Sequence, residues 1–390
     1  MATFHLRFVQ ILSVAALGMA TTVVHAQEKI RIGFMLPYSG TFAALGVAIE
    51  NGFKLYVAEN GGKLANREVE YFKLDDESDP SKAIQNANRL VQRDKVHVLI
   101  GSVHSGVALA LTKVAKDNDV TLIVPNAGVG AVTGALCAPN IFRSSYSAWQ
   151  TAYSMGKVAA QKGKKTAMTI TWKYSAGEEQ VAAFRQGFEE SGGKVLRDLN
   201  VPFPNVEFQA TLTEAASAKP DAIFAFFAGG AAVKFVQDYA AAGLNRSITL
   251  YGSGFLTDGT LEAQGKSAQG ILTTLHYGDG LNTPRNNAFR TSYAKTYKLQ
   301  PDVYAVQGYD AAQMFAAGVK AVGGDVKQKD ALRKAIRAAR IDSPRGSFVL
   351  SKAGNPVQDF YLREVVGNEN KVIGIAVKAL ADPAKGCRML

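Results

Sequence analysis

From Lys29 onward, short apolar runs take turns with segments whose apolar residues recur at helical spacing. Lys29-Ile30-Arg31-Ile32-Gly33-Phe34-Met35-Leu36 reads as a buried strand. Leu45, Ile49, Phe53, Tyr56 and Val57 then mark a helix face that Gly61-Gly62 stops. Val69–Leu74 is the next strand. Asp79-Pro80 supplies an N-cap followed by proline in the first turn, and Ile84, Ala87, Leu90 and Val91 give a second helix face. Val96–Ile100, Ser105–Lys116 and Thr121–Val124 continue as strand, helix and strand. Such alternation calls for right-handed crossovers and a mainly parallel sheet covered on both faces.

The rhythm restarts after Arg143, with strands at Ala167–Thr171, Val195–Val201, Ala222–Phe227 and Ile248–Tyr251 and helices between them. One sheet of so many strands would be unusual, so two α/β lobes joined near Phe142–Ser145 are expected. In the last third, two helices (Ala311–Val322 and Asp330–Ala339) come with no local sheet and must pack on something already built. The chain is therefore expected to return to the first lobe and cross again. The expected division is lobe 1 at 27–143 plus 275–341, lobe 2 at 144–274 plus 342–380, and a tail at 381–390.

The 390 residues are 47% hydrophobic and 20% charged, which excludes disorder as the main state. Residues 1–26 have a basic start at Arg7, an apolar run from Phe8 to Val24, and small residues before a cut after Ala26, the pattern of a secretory signal peptide. An N-terminal membrane anchor is the alternative. Removing the segment takes away Arg7 and no acid, so nearly all of the +11 formal charge stays with the mature chain. Those charges are scattered singly, and the densest runs, Lys162–Lys165 and Arg333–Arg340, are short. They read as solvated faces rather than a nucleic-acid patch. Cys137 and Cys387 fit export and are expected to form one disulfide.

Several chemistries lack their residues. Gly163-Lys164-Lys165-Thr166 misses the earlier glycine of a phosphate loop, and Gly128 to Gly134 is one residue too long for a dinucleotide fingerprint. No GxSxG elbow occurs. Three histidines after residue 26 and two distant cysteines make no convincing metal set, and no cofactor is expected. What remains is glycine, hydroxyl and aromatic residues at the C-terminal ends of strands, where open α/β sheets bind ligands. The first lobe offers Tyr38-Ser39-Gly40, Ser102 to Gly106, and Asn126-Ala127-Gly128. The second offers Trp172-Lys173-Tyr174, Phe227 to Gly230 with Gly229 at its centre, and Gly252-Ser253-Gly254-Phe255. These groups suit a carboxylate with an apolar body.

Taken in order, Pro37-Tyr38-Ser39-Gly40, Leu74-Asp75-Asp76-Glu77-Ser78-Asp79-Pro80, Val98-Leu99-Ile100-Gly101 before Ser105, and Asn140-Ile141-Phe142-Arg143 resemble the leucine/isoleucine/valine-binding protein family, the type I periplasmic receptors of ABC uptake systems. The resemblance covers Gln27 to about Val377. It implies two Rossmann-like lobes joined by three crossovers near Arg143, Thr274 and Ile341 and closing on a ligand. It also implies a periplasmic location, no enzymatic activity, a monomer, and an inner-membrane ABC permease as partner. By the same resemblance, Ser105 and the amides of Ala127 and Gly128 hold the ligand carboxylate, while Tyr38 and Tyr174 pack on its body. Amino-acid receptors of the family carry an acid after the strand ending here at Tyr251. This chain has Gly252-Ser253-Gly254-Phe255 there, with Asp258 the nearest acid. An ammonium buried without a countercharge is costly, so an aromatic or keto carboxylate is expected over leucine, with a small amino acid-like ligand as the alternative. The rival readings are a secreted α/β hydrolase using Ser105 and His104, and the ligand-binding half of a sensory system.

Overall fold

The computed structural model describes residues 28–390; the expected signal peptide lies outside the described residues. The first sheet is built from β1 (Ile30–Leu36), β2 (Lys63–Leu64), β3 (Arg67–Asp75), β4 (Val98–Ile100), β5 (Thr121–Val124) and β6 (Ile141–Arg143), in the order β2-β3-β1-β4-β5-β6. All neighbours are parallel except β2, which turns back on β3. Between the strands run α1 (Ala43–Glu59), α2 (Pro80–Asn88) and α3 (Ser105–Asp117). Asp79 caps α2 as its sequence demands, accepting from the amides of Ser81 and Lys82.

The chain then crosses to a second sheet through α4 (Ala148–Gln161). Its parallel part is β7 (Thr166–Lys173), β8 (Lys194–Pro202), β9 (Ala222–Phe226), β10 (Thr249–Ser253) and β11 (Leu272–Leu275), connected by α5 (Ser175–Glu189), α6 (Gln209–Ala218), α7 (Gly230–Ala241) and the short α8 (Leu261–Gln264). Three helices follow: α9 (Pro284–Tyr297), α10 (Val303–Ala321) and α11 (Lys329–Ala338). Finally β12 (Val349–Leu350), β13 (Pro356–Val366) and β14 (Glu369–Leu380) extend the second sheet as an antiparallel edge, giving β12-β13-β11-β10-β9-β7-β8 with β14 paired to β13.

The returning helix α10 does not join the second sheet; it docks on α1. A Cβ at Gly52 would stand 1.9 Å from the Ala305 carbonyl, and one at Gly308 would stand 1.9 Å from the Ile49 carbonyl. The two helices thus meet backbone to backbone, an approach open only to glycine. Among the described residues, no helix is long and apolar enough to cross a membrane. The tail after β14 runs to Cys387, which is bonded to Cys137 between β5 and β6, with the two Cα atoms 5.5 Å apart.

Candidate functional site

In a parallel sheet every strand ends at the same edge, so the loops after β1, β4 and β5 meet the loops after β7, β9 and β10 where the two sheets face each other. There they close around a nearly filled cavity of about 10 Å³, room for about one water. Phe42, Val103, Ser105, Asn126 and Gly128 line it from the first sheet's loops. Tyr174, Ala176, Phe226, Ala228 and Phe255 line it from the second, with Tyr146 from the first crossover and Tyr304 from α10. The walls are aromatic. Phe255 stands 4.8 Å from Tyr146 and 5.9 Å from Tyr304, ring centre to ring centre, and Tyr174 stacks 6.3 Å from Phe226.

The polar groups come from the first sheet's side. Ser105 opens α3 behind an extended His104 that makes no side-chain cap, so the helix's leading N–H groups are not claimed by a cap. The Ser105 and Tyr304 hydroxyls are buried with no hydrogen-bond partner among the described residues. Asn126 Nδ2 donates to Gln307 Oε1 at 2.8 Å, and Gln307 Nε2 lies 3.3 Å from His276 Nε2, a chain of amides that fixes Asn126 from behind. Burial, with Arg345 and Arg363 nearby, pushes His276 well below its ordinary range and keeps it neutral. No lining residue carries a formal charge. Two unsatisfied hydroxyls, a side-chain amide and a helix N-terminus in an aromatic box suit a carboxylate on a flat apolar body.

The two sides touch around this cavity. The Phe42 ring lies 5.7 Å from both Trp172 and Phe203, and His104 stacks on Tyr174 at 5.0 Å. Burial holds His104 down to about 4. Glu179 of α5 accepts a hydrogen bond from the Gly130 amide at 2.7 Å. Burial raises its carboxyl to about 7 against the pull of that amide and of Arg143.

A family model described as periplasmic binding protein matches residues 29–370. The chain belongs to the periplasmic binding protein family. Its curated relatives include a Leu/Ile/Val-binding protein homolog 6 of Brucella melitensis, 29% identical over 362 residues and covering 90% of this chain and 91% of the relative. Among solved structures, an ABC transporter solute-binding protein from R. palustris in complex with benzoate superposes with a TM-score of 0.91. It shares 50% identity and covers 93% of this chain and all of its own. A second, from Rhodopseudomonas palustris BisB5 in complex with 3,4-dihydroxybenzoic acid, has a TM-score of 0.86 and 31% identity, covering 91% of this chain and 99% of that one.

Of the residues singled out in the sequence of this binding protein, Ser105, Asn126, Gly128, Tyr174 and Phe255 line the cavity. Four others have different surroundings. The Ala127 amide donates to the Ser102 carbonyl at 2.9 Å, so it is not free for a ligand. Tyr38 lies under the Lys73 ammonium, 3.7 Å from its ring centre, and is not among the lining residues. Gly229 packs against the first sheet's side: a Cβ there would stand 2.2 Å from the Thr41 carbonyl. Gly254 is enclosed by Leu275 and by Arg363, whose Nη2 donates to its carbonyl at 3.0 Å.

Asp258, the nearest acid to the missing ammonium position, is spent. It pairs with the Arg363 guanidinium at 2.5 Å and accepts from the Val303 amide at 3.1 Å. Ser105 Oγ and His104 Nδ1 each lack a partner among the described residues, so they do not form a nucleophile–base pair. Tyr146 and Tyr304 went unread in the sequence. One follows the crossover, and the other sits in a helix that reaches the site only through its packing on α1.

Proposed function

We propose that this protein is the solute-binding receptor of an ABC uptake system, taking up small monocyclic aromatic carboxylates, benzoate or a close hydroxylated relative, in the periplasm and handing them to an inner-membrane permease. The observation that carries the reading is the cavity itself. Aromatic walls surround a small space whose polar groups are hydroxyls, an amide and a helix N-terminus, and no lining side chain is an acid that could meet an ammonium. Relatives of 50% and 31% identity in complex with benzoate and 3,4-dihydroxybenzoic acid support it.

In this reading, the lobes divide at 27–143 plus 275–341 and 144–274 plus 342–380, and hinge about the crossovers near Arg143, Thr274 and Ile341. Ser105, Asn126, Gly128 and Tyr304 hold the carboxylate, while Tyr146, Tyr174, Phe226 and Phe255 enclose the ring. The receptor acts as a monomer, and the ligand leaves unchanged. The test is mass spectrometry of the small molecule that co-purifies with exported protein, beside a thermal-shift panel and an esterase assay. An aromatic acid that stabilises the protein without turnover supports the reading. Hydrolysis of an ester that is lost on Ser105→Ala would replace it with the hydrolase reading.

A further inference from the structure

Among the described residues, three arginines are buried most deeply: Arg143, Arg345 and Arg363. Two have a buried carboxylate as partner. Arg345 stands 3.3 Å from Asp310 and Arg363 stands 2.5 Å from Asp258. Arg143 has no salt bridge among the described residues, although its side chain is fully inaccessible. Its guanidinium instead donates to two carbonyls, those of Ala127 and, at 2.8 Å, Val129. These flank Gly128, which lines the ligand cavity and whose amide makes no backbone hydrogen bond outside the helices and strands. Asp382 and Glu179 stand in its field without forming a salt bridge to it; Asp382 accepts from the Ser147 hydroxyl and Glu179 from the Gly130 amide.

A cation taken out of water without a counter-anion is expensive, and its removal or its pairing changes energies far more than a surface charge does. Across a trans peptide the C=O and N–H point in opposite directions, so holding the Ala127 carbonyl on Arg143 points the Gly128 amide away from the guanidinium. We propose that Arg143 is the charge-balancing and positioning residue of the site: its counter-anion is the ligand carboxylate, which it engages through the Gly128 loop rather than by contact. The inference rests on the aromatic-carboxylate reading and adds to it that the site selects the ionised acid. Neutral analogues of the same shape, such as benzamide, leave the cation only the more distant Asp382 and Glu179 carboxylates.

The test compares benzoate binding by calorimetry at pH 7.5 in wild type, Arg143→Gln and Arg143→Lys. Glu179→Gln, which removes the neighbouring carboxyl raised to about 7, is expected to bind benzoate without proton uptake, read from the dependence of the binding enthalpy on buffer ionisation. Arg143→Gln is expected to lose about thirtyfold or more in benzoate affinity, and Arg143→Lys, which keeps the charge, to recover at least a third of that loss on the logarithmic scale. Equal affinities for wild type and Arg143→Gln overturn the inference, as does an equal loss in both variants, which would make the role one of packing. Should Arg143→Gln fail to fold, uptake of one proton on binding by Glu179→Gln, which lacks the carboxyl raised to about 7, still overturns the inference, since the ligand would then enter as the neutral acid. Absence of any benzoate binding by wild type overturns the aromatic-carboxylate reading itself, and the inference with it.

Discussion

Single residues decide what the cavity accepts. Ser105 heads a thirteen-residue helix and offers a hydroxyl with no partner among the described residues. A hydrogen bond to a charged group contributes about 1.5–3 kcal/mol. Ser105→Ala is therefore expected to weaken benzoate binding about ten- to a hundredfold, at about 1.4 kcal/mol per decade, as measured by calorimetry. Tyr304→Phe in the same experiment shows whether the second free hydroxyl shares the carboxylate. Glu179 supplies a pH test. Its carboxyl is raised to about 7 in the folded protein, so its protonated form is favoured there over the unfolded chain. The stability it contributes is fully present below its ordinary carboxyl range and is lost as pH rises to about 7. Glu179→Gln removes that loss while keeping an acceptor for the Gly130 amide. The variant's gain in thermal midpoint over wild type is expected to grow between pH 4.5 and 7 and then level off. A gap that stays constant across this range would mean that Glu179 does not titrate there.

At the scale of elements, the alternation of apolar runs and helical-period segments made both parallel sheets legible, because a strand buried on both faces must be apolar throughout. The cavity residues that stand in βα loops, Ser105, Asn126, Gly128, Tyr174 and Phe255, were legible for the same reason: strand ends locate them. Tyr304 and Gln307 were not, since nothing local in α10 says which helix it will dock on. That information is the pair Gly52 and Gly308, 256 residues apart, read only once the helices are side by side. Tyr38 and Gly229 belong to loops at the right edge but meet other partners, the Lys73 ammonium over the Tyr38 ring and the Thr41 carbonyl beside the Gly229 backbone, a distinction that no spacing encodes. The docking itself can be tested. Gly308→Val puts atoms where the Ile49 carbonyl lies, 1.9 Å from the Cβ position. Overpacking of this kind costs about 1–3 kcal/mol or more. Denaturant unfolding should show that loss, and benzoate affinity should fall with it, because Tyr304 and Gln307 ride on α10. Unchanged stability would mean that the helices separate without cost.

For the whole molecule, the Cys137–Cys387 bond ties the tail that leaves the second sheet to the segment between β5 and β6 of the first. It adds a covalent link beside the crossovers. Replacing both cysteines by serine is expected to cost about 2–5 kcal/mol in denaturant unfolding, without loss of the cavity residues. A double variant as stable as the oxidised wild type would show that the link is incidental. The cavity, the contacts around it and the spent Asp258 all bear on one claim, that this receptor takes an aromatic carboxylate with no ammonium. Calorimetric titration of benzoate against phenylalanine measures it most directly. A clear saturating isotherm is expected for benzoate, with phenylalanine weaker by about a hundredfold or more, or undetected. Phenylalanine or leucine binding as tightly as benzoate would contradict it, because the ammonium would then have a partner that these residues do not supply.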